Sequence, residues 1–549
     1  MVYSSKSHPL YDLLVQLVAI PSVSPAASEE NRIARFLHDW FGQLPYFREH
    51  PEDLQLLSVE GDPLKRHIPL ALVRAGKRTS KTVLLTGHMD VVNADVYGPL
   101  KDLAFSPEEC TKAMATQPLS EEARRDLESG EWLFGRGVSD MKSGVASASI
   151  LLAKASEHPE KLEANVGVFF VPDEENNSLG MLGAVRHLAR LQEEEGLEFL
   201  GCINTEPVFS RTLETLPTLY TGTIGKINPF FFCLGRETHV GEYYEGVSAG
   251  ALISSINILL DGNAAFSDIH KEQRYSPYGC HKIRDIRNDY SSTIAAKAMA
   301  YYGYLPIYKK PGEILEELRS CARQGLDDAM ERLQSWRGMF WESRNAPLPS
   351  REKDRVLSFD ELKREYIRER GESGYRDMEG FLGSCPPEWD ERDRALGLTE
   401  YMLEECSFEG PLVVFGFLPP FYPPRINEGT TSGDRAILEM AKAVQAKARE
   451  LGTEVLQADL FEGVCDLSYC GFSQGRKELD ILERNTPGWG SPYRLPSEDL
   501  IKLDIPICNL GPVGKDAHKR TERVHLPFLL DVLPHLLQEA VECLSRSKE

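Results

Sequence analysis

The sequence predicts an α/β protein: a mostly parallel sheet with helices on both faces, plus an inserted α+β domain. Three observations carry this. Short apolar runs at 83–86, 164–171, 198–204 and 505–510 each turn abruptly polar at their ends, as strands buried on both faces do. Helical segments separate them at the spacing of βαβ units. The rhythm lapses between about 262 and 405 and then resumes, which is how an insertion reads. A chain of 549 residues holds two or three domains. The expected bounds are 1–214 and 428–549 for the two segments of the α/β domain and 215–427 for the inserted domain.

Taken in order, two helices occupy 9–45, divided by the turn 21–27. The second opens at Ser28 and places Glu29 and Glu30 in its first turn, where the helix dipole favours acids. Strands are expected at 54–59, 68–74 and 83–86. The polar excursion 95–131 carries one helix, 119–128. A short strand and glycine loop, EWLFGRGVSDMKSG, lead into a helix from Lys142. The strand 164–171, helix 179–195 and strand 198–204 complete the first segment. After residue 213 the pattern changes, with 218–234 β-rich and 246–260 helical. Within the insertion 311–336 is a helix, and the charged run 351–376 reads as a solvated surface helix. A strand at 411–417 is followed by PPFYPP, read as a linker. From Asp434 the α/β character returns with a helix at 436–451, strands at 454–459 and 505–510, and an amphipathic helix at 526–545.

A formal net charge of −22 argues against a nucleic-acid surface and against anionic membranes. The apolar patch of MVYSSKSHPLYDLLVQLVAIPS is broken by Tyr11, Asp12 and Gln16, so it reads as an amphipathic helix and not as a signal peptide. No run approaches the roughly 20 apolar residues of a membrane span. The 11 cysteines are scattered without a CxxC pair, and Cys465 and Cys470 lack a second pair for a zinc knuckle. Reduced, structural thiols in a cytoplasmic protein are expected.

Polar residues cluster where strands end. In KTVLLTGHMD, His88 and Asp90 follow a buried strand, and residues two apart in extended chain point the same way. Asp90 can thus reach the imidazole of His88, as a residue orienting a metal ligand or simply as a loop partner. Asp140 lies in a glycine turn entering a helix, Glu174 and Glu175 just past a strand, Glu206 past another, and His518 past the last. Each has an ordinary reading alone: a helix N-cap, a solvated loop, a surface histidine. Together they line the carboxyl ends of one sheet, where such folds keep their chemistry.

The strings TGHMDVV, LFGRGVSDMKSG, PDEENNSLG, NTEP and GPVGKDAHKRTERV resemble, in order, the motifs of the di-zinc aminoacylase, carboxypeptidase G and succinyl-diaminopimelate desuccinylase family. GRETHVGEYYEG, SPYGCHKIRDIRNDYSSTIAAKAMAYY and GVCDLSYCGF resemble an arginine-utilisation branch of it. The resemblance covers most of the chain and is weakest over 95–131 and 340–405. It implies a zinc-peptidase-like catalytic domain, with the inserted domain as lid or dimerisation domain, that holds two divalent ions, zinc first, with manganese or cobalt as alternatives. By resemblance, His88 and Glu206 hold one ion and Glu175 and His518 the other, with Asp140 bridging. Glu174 is then the general base for attack by a metal-bound hydroxide on an amide carbonyl, and Asp90 orients His88. His239, in GRETHVG, is implied to stabilise the oxyanion in a partner subunit, which requires a homodimer built through the inserted domain. Arg284 and Arg287 are the candidates for holding a substrate carboxylate, and Glu522 reads as a supporting group.

The function this implies is a metallohydrolase acting on an N-acyl amino acid or short peptide, in arginine or amino-acid catabolism. A dipeptidase or aminopeptidase is the alternative within the class. A catalytically inactive binding relative is the alternative outside it, and the intact ligand-and-base set argues against that one.

Overall fold

Alternation along the strands decides which side chains meet which helices. The computed structural model describes residues 8–208, 216–287, 290–406, 408–491 and 493–547. They form two units: Met1–Ile224, Arg425–Ser473 and Pro496–Glu549 make the first, Gly225–Pro424 and Gln474–Leu495 the second. The expected boundary at 214/215 falls within 209–215, outside the described residues. The expected segment 428–549 is not continuous, because 474–495 belongs to the second unit. There the Phe417 N–H donates to the Asn485 carbonyl at 2.9 Å, and Gly312 N–H donates to Glu478 at 2.9 Å.

The first unit is built on eight strands: β1 (Leu54–Ser58), β2 (His67–Val73), β3 (Lys81–His88), β4 (Asn165–Val171), β5 (Glu198–Asn204), β6 (Thr218–Tyr220), β7 (Leu456–Ala458) and β8 (Ile507–Asn509). Their order is β1-β2-β4-β3-β5-β8-β6-β7. The centre, β4-β3-β5-β8, is parallel. Antiparallel pairs occur toward the margins, at β1–β2, β2–β4 and β8–β6. The helices are α1 (Pro9–Val18), α2 (Ala27–Gly42), α3 (Lys142–Glu157), α4 (Leu179–Glu195), α5 (Ser432–Glu450) and α6 (Leu533–Ser545). Val83 and Leu85 of β3 and Val166, Val168 and Phe170 of β4 share a core with α1, α2, α3, α5 and α6. Each such side chain, fully buried, stabilises the fold by roughly 1.5–3 kcal/mol. On the other face α4 packs over β2 and β4.

The excursion 95–131 holds more structure than its composition predicts. Besides Glu121–Ser129 it contains a 3₁₀ stretch, Asp95–Leu103, and a helix, Pro107–Met114. Tyr97, Leu100, Cys110, Met114 and Phe134 close a small core of their own there.

The second unit is a five-stranded sheet in the order Gly279–Asp285, Lys297–Gly303, Lys226–Leu234, Leu412–Tyr422, Arg355–Ser358. Phe230 and Phe232 face the helices Phe359–Arg370, Ser373–Ser384 and Glu391–Glu405. The helices Ala249–Leu260 and Pro311–Glu342 also pack on this sheet. Two expectations are corrected here. PPFYPP is not simply a linker: the strand Leu412–Tyr422, buried throughout, takes in 419–422. A register shift after Leu418 accommodates the prolines, and the Asn228 amide donates to the carbonyls of Pro419 and Pro420 at 3.2 Å each. The run 351–376 is not one solvated helix but a sheet strand followed by helices, with Phe359, Leu362 and Tyr366 buried.

Register is what positions the chemistry. His88 pairs with Val171 across β3–β4, Thr86 with Asn204 across β3–β5, and Asn509 with Asn204 across β8–β5. Four parallel strands therefore end level, and the residues following them converge.

Candidate metal centre

At that edge the side chains of His88, Asp140, Glu174, Glu175, Glu206 and His518 come together. His88 Nε2 lies 3.1 Å from Asp140 Oδ1, 3.3 Å from Glu206 Oε1 and 3.9 Å from Glu174 Oε2. His518 Nε2 lies 3.0 Å from Glu175 Oε2 and 3.3 Å from Asp140 Oδ2. Asp140 thus turns one oxygen to each histidine. Potential ligand atoms of His88, Glu174 and Glu206, and again of His88, Asp140 and Glu175, lie within 4.8 Å of one another.

Asp90 supports this cluster differently from the sequence expectation. The ring Nδ1 of His88 meets the backbone carbonyl of Asp90 at 2.9 Å, while the carboxylate stands 3.7 Å away. That carboxylate instead accepts the N–H groups of Glu174 and Glu175, both at 3.1 Å. One residue therefore fixes the ring with its backbone and the base-bearing loop with its side chain.

The Asp140 and His518 loops are tied to each other. Trp132–Phe134 pairs with Arg523–His525, which pairs with Gly514–Lys515. Glu522, fully buried, accepts at Oε1 from the N–H groups of Gly137, Ser139 and Asp140 at 2.8–3.2 Å. Its other oxygen takes Arg136 Nη1 at 2.5 Å, and Arg136 Nη2 donates to the His518 carbonyl at 3.2 Å. Glu522 is a support, as its sequence context suggested. Gly511 packs so closely that a Cβ there would stand 2.0 Å from the Glu206 carbonyl, so only glycine fits.

Burial pushes the Glu206 carboxyl up to about 7, with Asp140 and Glu175 adding to the rise and His88 opposing it. Burial likewise holds Glu174 well above the ordinary range, His88 opposing and Glu206 and Asp466 adding. Burial disfavours a charged His88, yet Glu206 and Glu174 overcome it and raise the imidazole well above its usual value. Hydrogen bonds to Asp140 and Glu175 push His518 up to about 10. Despite burial, hydrogen bonds from His518 and His88 hold Asp140 below the usual carboxylate range. Acids outnumber imidazoles here and their oxygens face inward, which is costly without cations. A donor set of nitrogen and oxygen atoms only, with one carboxylate shared, fits two divalent ions of the zinc, manganese or cobalt kind.

Asp466, buried in the 3₁₀ turn Asp466–Cys470, belongs to the same electrostatic neighbourhood. Burial pushes it up to about 8, and it acts on Glu174. Sequence reasoning passed over it, although an acid in the otherwise uncharged stretch VCDLSYCGF was a signal. Arg136, between two glycines, was another.

His239, Arg284 and Arg287 lie in the second unit. His239 is exposed and accepts the Gly241 N–H at Nδ1, 3.1 Å away. Arg284 is exposed on its strand, in the wall of a cavity of about 420 Å³ with Phe232, Met299 and Trp389. Arg287 is engaged by the Thr293 carbonyl at 2.9 Å and by Asp285 at 3.2 Å. All eleven cysteines are free. Among the described residues no helix is long and apolar enough to cross a membrane.

The sequence model of peptidase family M20/M25/M40 matches residues 84–488. The uncharacterised protein YqjN of Bacillus subtilis (strain 168) is 32% identical over 545 residues, covering 98% of this chain and 97% of its own. Protein RocB of the same organism is 28% identical over 541 residues, covering 97% and 94%. The M20 family metallo-carboxypeptidase Sso-CP2 from Sulfolobus solfataricus shares the fold, with a TM-score of 0.52 at 12% identity over 98% of this chain and 99% of that one. The resemblance carried by the ordered motifs is borne out.

Proposed function

Because the chain belongs to peptidase family M20/M25/M40 and is a metallohydrolase, we propose that it cleaves the amide bond of an N-acyl amino acid or short peptide. Two divalent cations serve the reaction, zinc before manganese or cobalt. The observation that carries this reading is Asp140, whose two oxygens face His88 at 3.1 Å and His518 at 3.3 Å. His88 and Glu206 would hold one cation, Glu175 and His518 the other, with Asp140 shared. When bound, the pair supplies Lewis acidity, polarising the amide carbonyl and acidifying the attacking water.

The chain's own groups do the rest. Glu174, beside His88 and raised in proton affinity by burial, takes a proton from the water and returns it to the leaving amine. Asp90 holds Glu174 and Glu175 by their N–H groups and His88 by its ring. His239 stabilises the oxyanion in a second copy of the chain, so a homodimer through the second unit is part of the proposal. Free thiols throughout support a cytoplasmic setting. A role in arginine or amino-acid catabolism belongs to the same reading.

A dipeptidase or aminopeptidase is the second reading, and Asp466 favours it. Asp466 is buried in the electrostatic neighbourhood of Glu174, and a substrate ammonium there would draw it into its charged form. A panel of N-acyl amino acids and dipeptides, with Zn²⁺, Mn²⁺ or Co²⁺ added, separates the two. Glu174→Gln should keep its metals by elemental analysis and lose hydrolysis by roughly 10²–10⁴-fold. A wild-type chain that carries no metal and ignores chelators would overturn the reading. One that binds two cations and hydrolyses nothing would return it to the binding-relative alternative.

A further inference from the structure

We propose that Arg66, outside the ligand set, is the positioning residue that sets the Glu174–Glu175 loop for metal binding. This rests on the two-cation reading of the site. Arg66 is buried, 1% exposed, and its guanidinium meets three buried carboxylates at once. Nε and Nη2 fork onto Asp62 at 2.8 and 3.1 Å. Nη1 donates to Asp173 Oδ1 at 2.5 Å and to Glu30 at 3.2 Å.

Asp173 is the knot of the loop. Its backbone carbonyl accepts the N–H groups of Asn176, Asn177 and Ser178 at 2.7–3.2 Å. Its Oδ1 accepts the Asn176 side-chain amide, and its Oδ2 accepts the Leu179 N–H at 3.1 Å. It adopts φ +73°, a left-handed conformation that an aspartate holds through local hydrogen bonds such as these. The next two residues are Glu174 and Glu175, held from the far side by Asp90. The loop is therefore clamped between Arg66 and Asp90. Without the guanidinium, Asp62 and Asp173 would be buried carboxylates with no cation between them, beside a Glu30 that burial holds toward its neutral form, and the turn would open to reach water. A lysine brings the charge as a point on a flexible stem, so it cannot hold a fixed N–H against Asp173 as the planar guanidinium does. The clamp is assembled from α2, which carries Glu30, and from the β1–β2 turn, which carries Asp62 and Arg66.

The test is a Co²⁺ titration of the metal-stripped full chain, followed by visible absorption, with kcat and KM measured alongside. Arg66→Met and Arg66→Lys should weaken the Co²⁺ equivalent that uses Glu175 by roughly tenfold or more and lower kcat with little change in KM. Asp62→Asn, which removes the fork but leaves the link to Asp173, should lower Tm and keep Co²⁺ affinity within about twofold. Should Arg66→Met not fold, Arg66→Lys is read by the same titration. The proposal is overturned if the Arg66 variants bind both equivalents as the wild type does. It is equally overturned if Asp62→Asn loses affinity to the same extent, since the network then only stabilises the fold. A wild-type chain that binds no Co²⁺ overturns the two-cation reading instead.

Discussion

The two halves of the candidate metal centre meet at Asp140 but differ in depth. The His88 side chain is 1% exposed, and Glu174 and Glu206 lie within 4 Å of its Nε2. The His518 side chain is 51% exposed and leans on Glu175 from a surface loop. The buried half is held by strand register and packing. The open half is held by the Arg136–Glu522 pair and the small antiparallel sheet. A charge cluster in the interior depends on its own composition for stability, whereas one at the surface is screened and rescued by water. A cation at the buried half should exchange slowly, and one at the open half should leave first under a chelator.

The strongest way to break this comparison is to remove what the halves share. Asp140→Ala should lower bound metal below one equivalent and cut hydrolysis by roughly a thousandfold, the several kcal/mol that Lewis acidity contributes. Retention of two equivalents in that variant would deny the bridge. The comparison sharpens with the two histidines. His88→Ala leaves Glu174 and Glu206 buried without their cationic partner, and the metal-free chain should lose about 3–5 kcal/mol in denaturant unfolding. His518→Ala, at the exposed end, should cost about 0–1 kcal/mol while still removing one equivalent of metal. Equal losses would show that depth does not matter here.

The smallest effect concerns the supports. Burial, with Asp90 adding and Arg66 opposing, raises Glu30 from 4.5 to about 7. The folded chain then holds that proton more tightly than the unfolded one. This contribution to stability is complete below pH 4.5 and is lost as pH rises through 7. Glu30→Gln should flatten the fall in Tm over that window, measured by calorimetry on the metal-free protein.

What could be read from the sequence follows the same divide between depth and surface. His88, Glu174, Glu175, Glu206 and His518 were visible because each follows an apolar run, and a parallel sheet carries every such run to one edge. Asp466 follows no such run, and Arg66 sits in a turn between hairpin strands whose partners are distant in sequence. Asp466 left only the faint signal of an acid in an uncharged stretch, and the partners of Arg66 could not be reached without the fold. The run 351–376 misled because its charges are dense while Phe359, Leu362 and Tyr366 recur at helical spacing beneath them. PPFYPP misled because proline composition predicts a linker, and only the Asn228 amide and a register shift make a central strand of it. The helix Pro107–Met114 had its signal, a proline in the first turn with Cys110 and Met114 on one face, inside a stretch that looks merely polar.

The order in which the chain supplies the centre has a consequence for its making. His88, Asp140, Glu175 and Glu206 all precede the second unit, whereas His518 and Glu522 come after it. At a synthesis rate of roughly 5–20 residues per second, tens of seconds separate Glu206 from His518 on the ribosome. Through that interval β5 lacks its parallel neighbour β8, and Arg136 lacks the Glu522 carboxylate it bonds. A nascent chain can collapse its first segment early, but His88, Asp140, Glu175 and Glu206 meet His518 only as the last segment arrives. Assembly of the whole cluster is thereby coupled to synthesis of the last segment.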